Sequence, residues 1–166
     1  MKVLVTGATG FVGQALIENL LFETYEVRAL VRDSFSALPL GVEQVVMGDL
    51  IDLISSDPTI ALRDAFKGVD TVVHTAARAH IMNDKVSNPL DEFRKVNLNA
   101  TLVLARLSAE AGVKRFVFLS SIKVNGEMTK HCQVFTPDDV NIPDDPYALS
   151  KYEAEQGLLS MAQETN

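Results

Sequence analysis

The chain has 166 residues, 47% of them hydrophobic, with 22 Asp and Glu against 15 Lys and Arg for a formal charge of -7. This is enough apolar content for one ordinary domain with a real core, and an acidic chain without clustered Lys and Arg argues against nucleic acid as the main partner. One cysteine excludes an internal disulfide and fits a reducing compartment, and no apolar run approaches a membrane span or a signal-peptide core, so the expected setting is the cytoplasm, with no membrane partner.

The first element is a strand, Lys2 to Thr6, which runs through Gly7-Ala8-Thr9-Gly10-Phe11-Val12-Gly13 into a helix over Phe11 to Phe22. A strand that becomes a helix leaves free backbone N-H groups at the helix start, and glycines remove the side chains that would keep an anion away. The segment therefore predicts a seat for a dinucleotide pyrophosphate, although the spacing is G-x-x-G-x-x-G rather than G-x-G-x-x-G and a plain tight turn is the alternative. Glu26 to Val31, Glu43 to Met47, Thr71 to Thr75 and Arg115 to Leu119 read as further strands. Short, continuous and β-branched, they suit a sheet buried on both faces. Thr59 to Phe66, Asp91 to Glu110 and Tyr147 to Gln163 carry helical spacing, with Asn88-Pro89 as a start signal and Gly112 as a stop. The alternation predicts an α/β fold, a doubly wound parallel sheet in one domain over 1–166, with ligands at the carboxyl ends of the strands. Asn125 to Pro146 has no periodicity and is rich in Asp and Pro, so it reads as a functional or mobile loop or as a solvated connection. Within it, His131 beside Cys132 lacks two further ligands, and no metal site is expected.

Tyr147 and Lys151 lie four apart, so on a helix they share a face. A positive charge beside a phenol favours the phenolate, and such a Tyr can protonate a carbonyl oxygen or deprotonate an alcohol. The rival reading is an ordinary surface pair. Ser120-Ser121 follow the last strand, Asp49 the third, and His74-Thr75-Ala76-Ala77 close the fourth, all on the predicted ligand edge. The small Ala76 and Ala77 would leave room for a flat ring.

Together these segments resemble the extended short-chain dehydrogenase/reductase superfamily, the group of nucleotide-sugar epimerases, dehydratases and reductases. The motifs stand in the family's order: T-G-A-T-G-F-V-G at Thr6 to Gly13, G-D-L at Gly48 to Leu50, H-T-A-A at His74 to Ala77, V-N-x-x-x-T at Val96 to Thr101, S-S at Ser120-Ser121 and Y-x-x-x-K at Tyr147 to Lys151. The resemblance implies a Rossmann-type fold binding NAD(P) through Gly7, Thr9, Gly10, Phe11, Val12, Gly13, Arg32, Asp49, Leu50, His74, Ala76 and Ala77, with Asp49 and Leu50 at the adenine. It implies Tyr147 as general acid/base, Lys151 holding the nicotinamide ribose and tuning Tyr147, Ser121 orienting the substrate oxygen, and Asn97 supporting the site.

Two departures matter. NAD-dependent members usually carry an acid closing the second strand, whereas here Val31 is followed by Arg32 and Asp33. An arginine attracts a 2'-phosphate, which tilts the expectation toward NADPH, while Asp33 keeps NADH open. Asn125 stands where a tyrosine is common, and the stretch from Ser120 to Glu127 looks more like members that reduce 4-keto intermediates of UDP-N-acetyl sugars. Family members are longer, their later half supplying the last strands and most of the sugar-nucleotide pocket, so this chain is expected to lack the substrate region and to bind nucleotide better than it turns over sugar. The expected activity is hydride transfer on a nucleotide-diphosphate sugar by an epimerase or 4-ketoreductase. Alternatives are a sugar-nucleotide dehydratase and a non-catalytic dinucleotide-binding sensor or interaction module. By analogy with relatives, a homodimer would use the helices Asp91 to Glu110 and Tyr147 to Gln163.

Overall fold

A computed structural model describes residues 1–34, 37–54, 57–79, 88–139 and 141–164. Five strands, β1 (Lys2–Thr6), β2 (Glu26–Val31), β3 (Val42–Val46), β4 (Thr71–His74) and β5 (Arg115–Phe118), form one parallel sheet in the order β3-β2-β1-β4-β5. The chain works outward from β1 to β3 and then returns to place β4 on the other side of β1. Strand order thus reverses between β1 and β4, and a crevice opens at their carboxyl ends.

The alternating side chains of β1 explain its unbroken apolar run. Val3 and Val5 pack with Ile17 of α1 (Phe11–Phe22), while Leu4 joins Phe66, Val72 and Leu104 in a second cluster on the opposite face. The outer strands differ from expectation: in β3 Glu43, Gln44 and Val46 are exposed, as are Arg115 and Val117 in β5. Each is an edge strand, so helices cover it only in part. Strand ends expected at Met47, Thr75 and Leu119 retain their ladder bonds, since these three N-H groups donate to the carbonyls of Val31, Thr6 and His74.

Two helical elements have the ends their sequence announces. α2 (Ile60–Ala65) is capped by Thr59, whose hydroxyl accepts from the Leu62 N-H at 3.2 Å. Pro89 starts a continuous helix to Glu110, made of α3 (Pro89–Phe93), a π-helical segment (Arg94–Ala100) and α4 (Thr101–Glu110). It ends with Gly112 at φ +75°, the Gly112 N-H donating to Ala109 and the Val113 N-H to Ser108. α5 (Pro146–Glu164) packs against the π segment and α4, with Leu102 meeting Gly157. Leu102 and Leu158 are partly buried within the chain. Among the described residues no helix is long and apolar enough to cross a membrane, and no cluster of His, Cys, Asp or Glu is arranged for a metal.

Candidate active site

The glycine loop is built by close approach. Gly7 has φ +68°, and a Cβ there would lie 2.6 Å from the Ala76 nitrogen; a Cβ at Gly13 would lie 2.1 Å from the Gly7 carbonyl oxygen. The first glycine lets the loop touch the end of β4, and the third lets α1 touch the loop. Gly10 caps α1 with no side-chain hydrogen bond, and the first turn of α1 carries no acidic residue. The loop from Gly7 to Gly10 lines a cleft of about 400 Å³.

That cleft lies between the ends of β1, β2 and β4. Of the residues expected at a cofactor, Gly7, Thr9, Gly10, Arg32, Asp49, Leu50, Ala76 and Ala77 line it. Thr75, expected on the ligand edge, lines it as well, and sequence reasoning missed Met47, Ile51, Arg78 and Val96, which line it too; the signal available was position, since Met47 closes the predicted third strand and Arg78 follows shortly after the fourth. Asp49 also holds its own loop, its carboxylate accepting from the Ile51 N-H at 3.1 Å. Phe11, Val12 and Gly13 do not line the cleft: they form the first turn of α1, with Phe11 and Val12 exposed and Gly13 buried. The cradle a Cβ would fill and the uncapped helix start fit a dinucleotide diphosphate.

His74 departs from expectation. Its ring is fully buried, with Nδ1 2.5 Å from the Thr6 hydroxyl and Nε2 2.9 Å from the Thr101 hydroxyl. Both nitrogens are engaged in the core, so the ring is not presented to the cleft. Burial, with the nearby Lys151 charge as a smaller cause, pushes its pKa down to about 3, and the ring is neutral at pH 7.

Tyr147 stands in the first turn of α5, half-buried, its ring edge-on to Phe93 with centroids 6.0 Å apart. Lys151, one turn on, is buried, and its Nζ sits 3.8 Å from the centroid of the Phe118 ring. Desolvation lowers its pKa to about 8, opposed by the Glu155 charge, so it stays mainly protonated at pH 7. Ser121 begins a 3-10 turn (Ile122–Val124), its hydroxyl accepting from the Lys123 N-H at 3.3 Å. Lys123 in turn pairs with Asp145 at 3.6 Å, and Asp145 accepts from the Ala148 N-H at 2.8 Å, capping α5 just before Pro146. The turn that carries Ser121 is thereby anchored to the helix that carries Tyr147.

Asn97 is buried in the π segment. Its Oδ1 accepts from the Arg78 N-H at 2.8 Å, and its Nδ2 donates to the Arg78 carbonyl and, at 2.9 Å, to the Ser150 hydroxyl. It joins the loop after β4 to α5, which is a supporting position. Arg78 lines the cleft and lies over the Phe93 ring at 5.8 Å, and Phe93 in turn meets Tyr147 edge-on, whereas Ser121, Tyr147 and Lys151 do not themselves line the cleft.

Comparison with known proteins finds relatives of this sequence and this fold. The model of the NAD dependent epimerase/dehydratase family matches residues 3–166. A UDP-glucose 4-epimerase of Vibrio cholerae is 40% identical over 167 residues, an alignment covering 99% of this chain and 48% of that enzyme. The UDP-glucose 4-epimerase of Thermus thermophilus, solved with NAD, superposes with a TM-score of 0.80 at 27% identity, over 99% of this chain and 52% of the other. A short-chain dehydrogenase/reductase superfamily protein from Agrobacterium tumefaciens, also with bound NAD, gives 0.77 at 34% identity, over 98% and 45%. The chain spans about half the length of these relatives.

Proposed function

The chain belongs to the NAD dependent epimerase/dehydratase family, and from that premise we propose that it binds a nicotinamide dinucleotide in the cleft at β1 and β4 and serves hydride transfer on a nucleotide-diphosphate sugar. One observation carries the reading: the helix holding Tyr147 and Lys151 is anchored, through Asp145 and Lys123, to the turn holding Ser121. The bound nicotinamide ring would supply or accept the hydride. Tyr147 is the residue that moves the proton, giving it to a sugar carbonyl oxygen or taking it from an alcohol. Lys151 keeps a positive charge in a site dry enough to shift its own pKa, which favours the phenolate of Tyr147. Ser121 orients the substrate oxygen, and Asn97 holds α5 against the β4 loop. Gly7 and Gly10, with the N-H groups that start α1, seat the diphosphate, while Asp49 and Leu50 border the adenine.

Arg32 lines the cleft at the end of β2. A guanidinium there binds a 2'-phosphate as a charge-assisted pair, so the proposed cofactor is NADPH and the proposed reaction a 4-keto reduction that releases the oxidised cofactor. Relatives solved with NAD support the other possibility, an epimerase that returns the hydride to the opposite face. Titration of the chain with NADPH and NADH side by side, read by the cofactor's own fluorescence, separates them. Tighter NADPH binding is expected, and Arg32→Ala should weaken it about tenfold while leaving NADH unchanged. Tighter NADH binding would transfer the ribose contact to Asp33 and favour the epimerase, and binding of neither would refute the cleft as a cofactor site.

A further inference from the structure

The hydrogen bonds around His74 have only one self-consistent direction. The Thr101 hydroxyl lies 2.8 Å from the Asn97 carbonyl, which can only accept, so the hydroxyl proton points there and its oxygen must accept from His74 Nε2-H at 2.9 Å. With Nε2 protonated in a neutral ring, Nδ1 is bare and accepts the Thr6 hydroxyl proton, and the Thr6 oxygen is left to accept from the Ala76 N-H at 3.4 Å. Beyond Asn97 the same logic holds. The Ser150 hydroxyl donates to the Tyr147 carbonyl at 2.7 Å and therefore accepts from Asn97 Nδ2. All donors point one way, from the end of β4 to the first turn of α5.

We propose that His74 is a positioning residue: through Thr101 it fixes the π-helical segment at Asn97, whose amide then sets the backbone that carries Tyr147. The chain of bonds reaches from Ala76 and Thr6, beside the glycine loop, to the Tyr147 carbonyl, so it ties the wall of the cleft to the proton-transfer helix. The π segment is what makes the connection possible. The Thr101 hydroxyl takes the Asn97 carbonyl, and the wider helical turn carries the Asn97 side chain inward to Arg78 and Ser150. The Phe118 ring stacks on the imidazole with centroids 5.9 Å apart, Phe116 lies at 6.0 Å, and the Lys151 ammonium sits on Phe118. These contacts, with both ring nitrogens already bonded, hold the imidazole in place. The importance of the relay rests on reading Tyr147 as the proton-transfer group; its existence does not.

Two measurements on the full chain test it, neither of which needs cofactor or turnover. Imidazole 15N spectra at neutral pH should give His74 with Nε2 protonated and Nδ1 bare, and the opposite tautomer or a charged ring would overturn the proposal. Hydrogen exchange across residues 147–151 should speed up by about tenfold or more in Thr101→Val, which keeps the volume and loses the hydroxyl. It should return toward wild type in Thr101→Ser, which loses a methyl and keeps the hydroxyl. A residue that merely fills space predicts the reverse order, with Thr101→Ser the worse variant, and that order, or equal exchange in all three proteins, would refute the relay. A failed cofactor titration with an intact exchange pattern would leave the relay standing and remove only the functional reading.

Discussion

Lys151 is destabilising in a way that its neighbours only partly relieve. Its ammonium is buried, contacts the Phe118 ring and has a pKa of about 8 instead of 10.5, so below pH 8 the folded state holds a proton that the low-dielectric surroundings disfavour. Between the two values the unfolded chain binds more protons than the folded one, and stability therefore rises with pH through that window. Lys151→Met should be more stable than wild type at pH 7, by roughly 1–3 kcal/mol, since each tenfold change in proton affinity is worth about 1.4 kcal/mol. The gap should close as the pH climbs from 8 toward 10.5. Urea titrations of both proteins across that range measure it, and a wild type that is the more stable at pH 7 would mean the cation is satisfied where it sits. Side chains kept for function rather than for packing commonly lower stability in this way.

Secondary elements here are joined by a few long polar side chains, and Arg28 is the clearest. Its Nη1 donates to the Ala65 carbonyl at 2.5 Å and the Lys67 carbonyl at 3.2 Å, at the end of α2, while Nη2 pairs with Glu43 of β3 at 2.9 Å. A six-residue helix leaves most of its carbonyls without internal partners, and this guanidinium supplies a donor to the last of them, Ala65, and to Lys67 just beyond it. Arg28→Met keeps the apolar stem and should cost about 2 kcal/mol, because buried carbonyls lose their donor while half-exposed Glu43 turns to water. A shift in the urea midpoint at constant slope is the expected signature; no shift would show that water replaces the arginine. At this scale the sequence was readable where periodicity is strong. The runs in β1 and β2, the glycines before α1, and the Pro89 and Gly112 signals were all legible because each states a local backbone preference. The exposed flank of β3 was legible in principle from Glu43-Gln44, which a strand covered on both faces would not carry. The π segment was not, since seven residues at a slightly wider pitch keep an apolar pattern compatible with an ordinary helix. Nor was the burial of His74: a four-residue strand does not reveal that Thr6 and Thr101, far away in sequence, bring hydroxyls to both ring nitrogens. Asn97 could be placed on its helix, while its partners Arg78 and Ser150 are contacts only the fold creates.

At the scale of the whole molecule, β1 belongs to both core clusters, with Leu4 on one face and Val3 and Val5 on the other. Neither layer can unfold without exposing the apolar back of the strand they share, so residues 1–166 should melt as one unit. Far-UV circular dichroism and the fluorescence of Tyr25, Tyr147 and Tyr152, which are spread over the connection before β2 and the start of α5, should trace one coincident transition. The cleft strengthens this expectation because its lining is drawn from both sides of β1: Leu30, Val31 and Arg32 at the end of β2, and Thr75 to Arg78 beyond β4. A ligand held there stabilises whatever unit contains all of them. At a hundredfold excess of NADPH over its dissociation constant the gain is about 2.7 kcal/mol, which for a chain of this size raises the midpoint by roughly 5–10 °C. Both probes should move together. If in a Tyr25→Phe variant, whose remaining tyrosines both lie in α5, the cofactor shifted only the dichroism transition and left the tyrosine transition behind, α5 would be a separate unit and the coupling of Tyr147 to the cleft through Asn97 and His74 would fail with it. A common shift would place the cleft and the helix that carries Tyr147 in one cooperative structure, as the hydride and proton transfer proposed above requires.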